Sequence, residues 1–144
     1  MTDEPRAVDP WRYSLRFHVR QYELDQYGHV NNAVYLNWVE QVAVDHVEAL
    51  GFGREWSQSQ AAGWVVREHR ITYHQPVRYG DVVVVTTLPQ RLAGVRGLRR
   101  TEMHREADGV LVTEVMTDWI WVRLSDGRPA RVPRELLALY SAGE

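Results

Sequence analysis

Polar and apolar residues alternate strictly from Trp11 to Arg20, with Tyr13, Leu15, Phe17 and Val19 on one side and Arg12, Ser14, Arg16, His18 and Arg20 on the other. A period of two predicts a half-buried strand. The alternation stops in Gln21 to Asn31 (QYELDQYGHVN), which reads as a loop. From about Asn32 to Leu50 the spacing becomes helical: Tyr35, Trp38, Val39 and Val42 form a stripe that Val34, Ala43, Val47 and Leu50 widen. Asn31 or Asn32 is placed to cap this helix and Gly51 to end it, over a length of roughly 27 Å at ~1.5 Å per residue. The segment Gly51-Phe52-Gly53 then opens a loop.

Everything downstream reads as strands: Trp64 to His74, Asp81 to Leu88, Val95 to Arg105 and Val110 to Leu124, with Ala107-Asp108-Gly109 as a hairpin turn. The β-branched run Val82 to Thr87 suggests a strand buried on both faces. Pro133 to Tyr140 closes the chain as a short helix with Pro at its start. One strand, one long buried helix and four antiparallel strands predict an α+β domain in which a single sheet wraps the helix. That domain spans residues 1–144, with 1–10 as a flexible tail. Such a sheet has open edges, and six Trp with seven Tyr must be buried somewhere, so pairing with a second copy is expected.

Composition narrows the chemistry. The 17 basic side chains are all Arg, and Cys is absent. Schiff-base lysine, thiolate nucleophile, cysteine-held metal and disulfide frameworks are thereby excluded, and no Ser sits in a G-x-S-x-G turn. Carboxylates, histidines, tyrosines, arginines and backbone amides must carry any reaction. A net charge of −2 argues against general nucleic-acid binding, so a polyanion would be held locally by an Arg cluster. The polar, acidic start MTDEPRAVDP lacks the apolar core of a signal peptide, and no run is long enough to cross a bilayer, so a cytoplasmic chain without membrane contact is expected. His69 and His74 fall on opposite faces of one strand, and no other histidines stand at ligand spacing, so no metal or other cofactor is expected.

The chemically informative stretch is Asp25-Gln26-Tyr27-Gly28-His29-Val30-Asn31-Asn32, which runs straight into the helix. Unpaired N–H groups at a helix N-terminus carry partial positive charge, and a carbonyl oxygen placed against them is polarised. An Asp just upstream can activate water or attack directly, and Gly28 allows close approach of the backbone. Capping by Asp25 and Asn31, with His29 a structural histidine, explains the same spacing without any chemistry.

The segment D-x-x-G-H-V-N-N-x-x-Y (Asp25 to Tyr35), together with Tyr73-x-x-Pro76-Val77-x-Tyr79-Gly80-Asp81, resembles the hot-dog fold acyl-thioesterases, in particular the 4-hydroxybenzoyl-CoA thioesterase-like family. The resemblance runs from about Tyr13 to Leu124. It implies an acyl-CoA or acyl-carrier-protein thioester as substrate and a homodimer or homotetramer. It places Asp25 on the catalytic carboxylate and the amide near Asn32 on the group that polarises the carbonyl. His29 matches the histidine of the plant acyl-carrier-protein branch, but Tyr27 stands where that branch has Asn, which leaves His29 an auxiliary, orienting role. Gly28, Tyr27, Tyr35 and Trp38, with Trp64, would surround the acyl group, and Glu40 is the nearest counterpart of the helix carboxylate that other hot-dog thioesterases use.

The densest basic region, Arg91 with Arg96, Arg99 and Arg100, falls on the turn where this family binds CoA phosphates, a task suited to the guanidinium fork. A solvated strand face accounts for these arginines equally well. Two other functions share the same features: a hot-dog enoyl-thioester hydratase, and an acyl-thioester binding protein without turnover.

Overall fold

The computed structural model describes residues 7–141. It contains β1 (Tyr13–His18), α1 (Asn32–Ala49), α2 (Arg54–Ser59), β2 (Ala62–Tyr73), β3 (Val82–Ala93), β4 (Arg96–Arg105), β5 (Leu111–Arg123) and α3 (Arg134–Ser141), with one 3-10 turn at Gln21–Glu23. The strands form one antiparallel sheet in the order β1-β3-β4-β5-β2. The α+β architecture is therefore the expected one. Of the expected N-terminal tail, residues 1–6 lie outside the described residues; beyond them, the Asp9 carbonyl accepts a hydrogen bond from His46 Nε2 at 2.7 Å.

The apolar stripe of α1 faces the sheet. Tyr35, Trp38, Val39, Val42, Ala43 and His46 are its buried positions, and the stripe meets Val83 and Val85 of β3, Met103 of β4 and Val115 of β5. Each large side chain buried this way contributes about 1.5–3 kcal/mol. Phe17 of β1 stacks on Trp38 at 5.4 Å between centroids, which extends the core to the sheet edge. A second cluster of Ala62, Trp121, Val132, Leu136 and Tyr140 seats α3 at the other end of the helix.

Three local expectations are corrected. The segment after Gly53 is a helix, α2, rather than a loop; it carries Trp56 against Phe52 and Trp121. Strand β3 does not end at Leu88 but continues through Pro89 to Ala93, with a register shift between Pro89 and Arg91. That is tolerated because β1 stops opposite Thr87, so the missing proline N–H breaks no ladder bond on that side. The β-branched run is covered more fully on one face: Val83, Val85 and Thr87 are fully buried, whereas on the other face Val82 and Val84 are half-buried and only Thr86 is buried.

Candidate active site

The loop before α1 is held by its own backbone. Leu24 bridges Val30, His29 bridges Arg78, and the Val30 amide donates to the Val77 carbonyl at 2.7 Å. Gly28 sits at φ 77°, a left-handed turn that favours glycine, with open space beside it. Within this turn Asp25 Oδ1 accepts from the amides of Tyr27 at 2.8 Å and His29 at 3.1 Å. One carboxylate oxygen is thus fixed by the main chain. The other, Oδ2, makes no hydrogen bond among the described residues.

Asn31 caps α1, its Oδ1 accepting from Ala33 N at 3.0 Å while its carbonyl takes the Val34 amide at 2.9 Å. Its own amide donates to the Glu23 carbonyl at 2.8 Å. The amide left without an acceptor among the described residues is that of Asn32, which sits at the positive end of the helix. Tyr73, at the end of β2, donates from its phenol to the Asn32 carbonyl at 2.9 Å and pins this first residue. Tyr35 lies edge-on to Tyr73 at 5.2 Å, and burial pushes both phenols up, so they remain protonated donors at neutral pH.

Asp25, His29, Asn32 and Tyr35 are brought together with Tyr73 and His74 around one open pocket of about 530 Å³ including its mouth. Four residues singled out in the sequence therefore share one site. Trp38 lies one turn deeper in the core, 4% exposed and packed against Tyr35. Tyr27 points into solvent, 74% exposed. The His29 amide holds Asp25 Oδ1, while its ring makes no hydrogen bond among the described residues.

Other expected residues lie elsewhere. Tyr73 is level with Thr113, Met103 and Val85 across the sheet. Arg91 is six residues beyond Val85 on β3, which places it about 20 Å farther along the strand at ~3.3 Å per residue. Arg91 and Arg96 therefore do not share the pocket of Asp25 in the same chain. Arg96 grips Asp118 through Nη2 at 2.6 Å and Nε at 3.2 Å, and Arg67 shares that carboxylate. Arg100 is paired with Glu102 and Glu114. Trp64 packs on Trp121 at the hairpin end, far from Asp25. Glu40 is exposed on α1, with His69 Nε2 at 3.9 Å. The contributors that sequence reasoning missed are Tyr73 and His74. Tyr73 stands in the quoted Tyr-x-x-Pro motif, but nothing local shows that its phenol reaches Asn32.

Among known proteins, the model of the thioesterase-like superfamily matches residues 19–139. The long-chain acyl-CoA thioesterase FadM of Escherichia coli is 29% identical over 118 residues, covering 82% of this chain and 89% of FadM. The chloroplastic acyl-acyl carrier protein thioesterase ATL3 of Arabidopsis thaliana is 31% identical over 133 residues, 89% of this chain and 67% of that protein. In three dimensions the DHNA-CoA thioesterase of Staphylococcus aureus superposes with a TM-score of 0.84 at 23% identity, over 92% of this chain and 90% of that one, a likeness of fold. Some of the solved structures that match are longer, and this chain spans 50% of them. The family model over most of the chain and the likeness of fold agree: this chain belongs to the thioesterase-like superfamily of thioester hydrolases and has its hot-dog fold.

Proposed function

We propose that this chain hydrolyses fatty acyl thioesters of CoA or acyl-carrier protein at the pocket between Asp25 and Asn32. The observation that carries the reading is the pair of unused groups on that pocket, Asp25 Oδ2 and the Asn32 amide, each fixed by neighbours that already have their partners. The thioester oxygen sits against the Asn32 N–H at the helix end, where developing negative charge is stabilised. Asp25 either attacks the carbonyl carbon or takes a proton from the water that does. The carbon–sulfur bond then breaks, the electron pair leaves with the sulfur, and the thiolate takes up a proton, from Asp25 where it has served as base and from water otherwise; an anhydride formed by direct attack is hydrolysed by water to the free acid. FadM acts on acyl-CoA and ATL3 on acyl-carrier protein, which supports the acyl-thioester class for this chain while leaving the carrier to the assay.

The reading includes a second copy paired along β2. Strand β1 has 6 residues but β2 has 12, with its outer edge unpaired and Val65 46% exposed on it. A long unpaired edge offers its free N–H and C=O groups to a second strand, whereas a short one does not.

The test is thiol release from a series of acyl-CoA and acyl-carrier substrates of increasing chain length. Wild-type protein is expected to turn over at least one of them, and Asp25→Asn to lose roughly 100-fold or more of kcat with its unfolding midpoint unchanged. Full activity in Asp25→Asn, or no thiol from any substrate, would refute the mechanism.

A further inference from the structure

A second cavity lies away from Asp25, between the C-terminal half of α1, the β3–β4 hairpin and α3. It measures about 650 Å³ including its mouth. Its walls are mostly apolar, with Val44, Val47, Trp64, Leu92 and Leu136 among them. Ala43, on the same wall, is about 16 Å up the helix from Asn32 at ~1.5 Å per residue. Trp38, Val39 and Val42 fill the core between. The two pockets are separate.

One wall of this cavity carries the guanidinium of Arg99. Its Nη1 donates to His46 Nδ1 at 2.9 Å and to Thr87 Oγ1 at 3.0 Å, both neutral acceptors. Because His46 Nδ1 accepts, its proton is on Nε2, which donates to the Asp9 carbonyl. The charged groups around the cluster do not neutralise Arg99. Asp9 Oδ1 takes the Trp11 amide, and no carboxylate among the described residues forms an ion pair with Arg99. Tyr140, also on the wall, stays protonated because burial pushes its phenol up. The end of α1 offers Arg99 only partial negative charge. Its Nε and Nη2, the edge of the fork that matches a carboxylate, make no hydrogen bond among the described residues.

We propose that this cavity binds a free carboxylic acid with an apolar chain, the carboxylate on the Nε–Nη2 edge of Arg99 and the chain against Val44, Val47, Trp64 and Leu92. A partly buried cation with no acid partner, set in an apolar wall, selects an acid over the alcohol of the same body, because only the acid compensates the charge. Exposed Arg91 at the rim adds positive potential in the same sense. Within one chain this cavity and the pocket of Asp25 have no lining residue in common, and binding here involves no turnover, so its test does not depend on the hydrolase reading.

Titration calorimetry with decanoate and with 1-decanol tests it on the whole chain. Wild-type protein is expected to bind decanoate at least about tenfold more tightly than decanol, a preference that Arg99→Gln removes. Val44→Trp, at an exposed position on the cavity mouth, is expected to weaken decanoate binding by a similar factor while thiol release from acyl-CoA is retained. If Arg99→Gln does not fold, the acid-to-alcohol ratio of wild type and the Val44→Trp result still decide. Equal affinity for acid and alcohol would make Arg99 a cation for the helix end only. No decanoate binding, or binding that Val44→Trp leaves unchanged, would overturn the site.

Discussion

His46 is fully buried on the last turn of α1, yet both its ring nitrogens have partners, one from each side of the helix end. Burial is the larger influence on it, and with the positive charge of Arg99 it pushes the imidazole down to about 4, partly offset by the Asp9 carbonyl. The unfolded chain, with an ordinary histidine near 6.5, therefore binds the extra proton first as pH falls. Stability from this group is whole above about pH 6.5 and is lost progressively down to about 4, a loss on the order of 3 kcal/mol. The carboxylates held low by arginine, Asp118 foremost through Arg96, begin to lose their contribution only as pH falls into the ordinary carboxylate range, so the upper part of the decline belongs to the histidine alone. Denaturant unfolding between about pH 7 and 5 is expected to show the decline in wild type and a flat profile in His46→Gln; the same slope in both proteins would assign it elsewhere. At this scale the candidate site was partly legible. Asp25 and Asn32 could be picked out because a short loop and a helix start are local, seven residues apart. Tyr73 could not be placed, because its bond to Asn32 exists only once β2 lies beside α1.

Elements were legible where their signals are their own. α1 combines a stripe, a cap and a terminal glycine in one continuous segment, and its observed bounds, Asn32–Ala49, differ from expectation by one residue. α2 has no such autonomy. Gly53 at its N-cap offers no side chain, and the first amide, that of Arg54, donates instead to Glu48 Oε1 of α1 at 2.8 Å. A cap borrowed from the preceding helix leaves no trace in the local sequence. Likewise, the extension of β3 past Pro89 depends on where β1 ends. The borrowed cap yields a test: a Cβ at Gly53 would collide with the Glu48 carboxylate, which is the free end of a flexible side chain and can swing away. Gly53→Ala is therefore expected to cost about 1 kcal/mol, the value of a lost cap, and to speed amide exchange in α2 while α1 stays protected. Unchanged exchange at Ser57 and its neighbours would show that the Glu48 contact does not support α2.

For the whole molecule, the placement of the arginines is the feature that one chain leaves incomplete. Arg91 and Arg96 sit toward the β3–β4 hairpin. That end of the strands lies about 20 Å from the level of Tyr73. Within one chain they lie outside the pocket of Asp25, so a carrier whose thioester sits there would have to lie along the length of the strands to bring its phosphates to them. A two-fold pairing of β2 with its copy reverses strand direction between protomers, so the hairpin end of one chain comes to the Asp25 end of the other. The sequence could point to arginines and a phosphate-bearing ligand, but not to which chain supplies them, since strand register across an edge is not written in either strand alone. If the partner supplies the contacts, replacing Arg91 and Arg96 with Ala is expected to raise KM for acyl-CoA about tenfold or more, and to leave the acyl-pantetheine lacking the nucleotide unaffected. Asp25→Asn and the double arginine variant, each deficient alone on acyl-CoA, are then expected to complement after mixing under dissociating conditions, because a mixed dimer contains one site with both Asp25 and the partner's arginines intact. Random mixing would restore about one quarter of all sites. Recovered activity at low acyl-CoA concentration would place the phosphate contacts across the interface, whereas a mixture no more active than its two components would return both arginines to the solvated strand face.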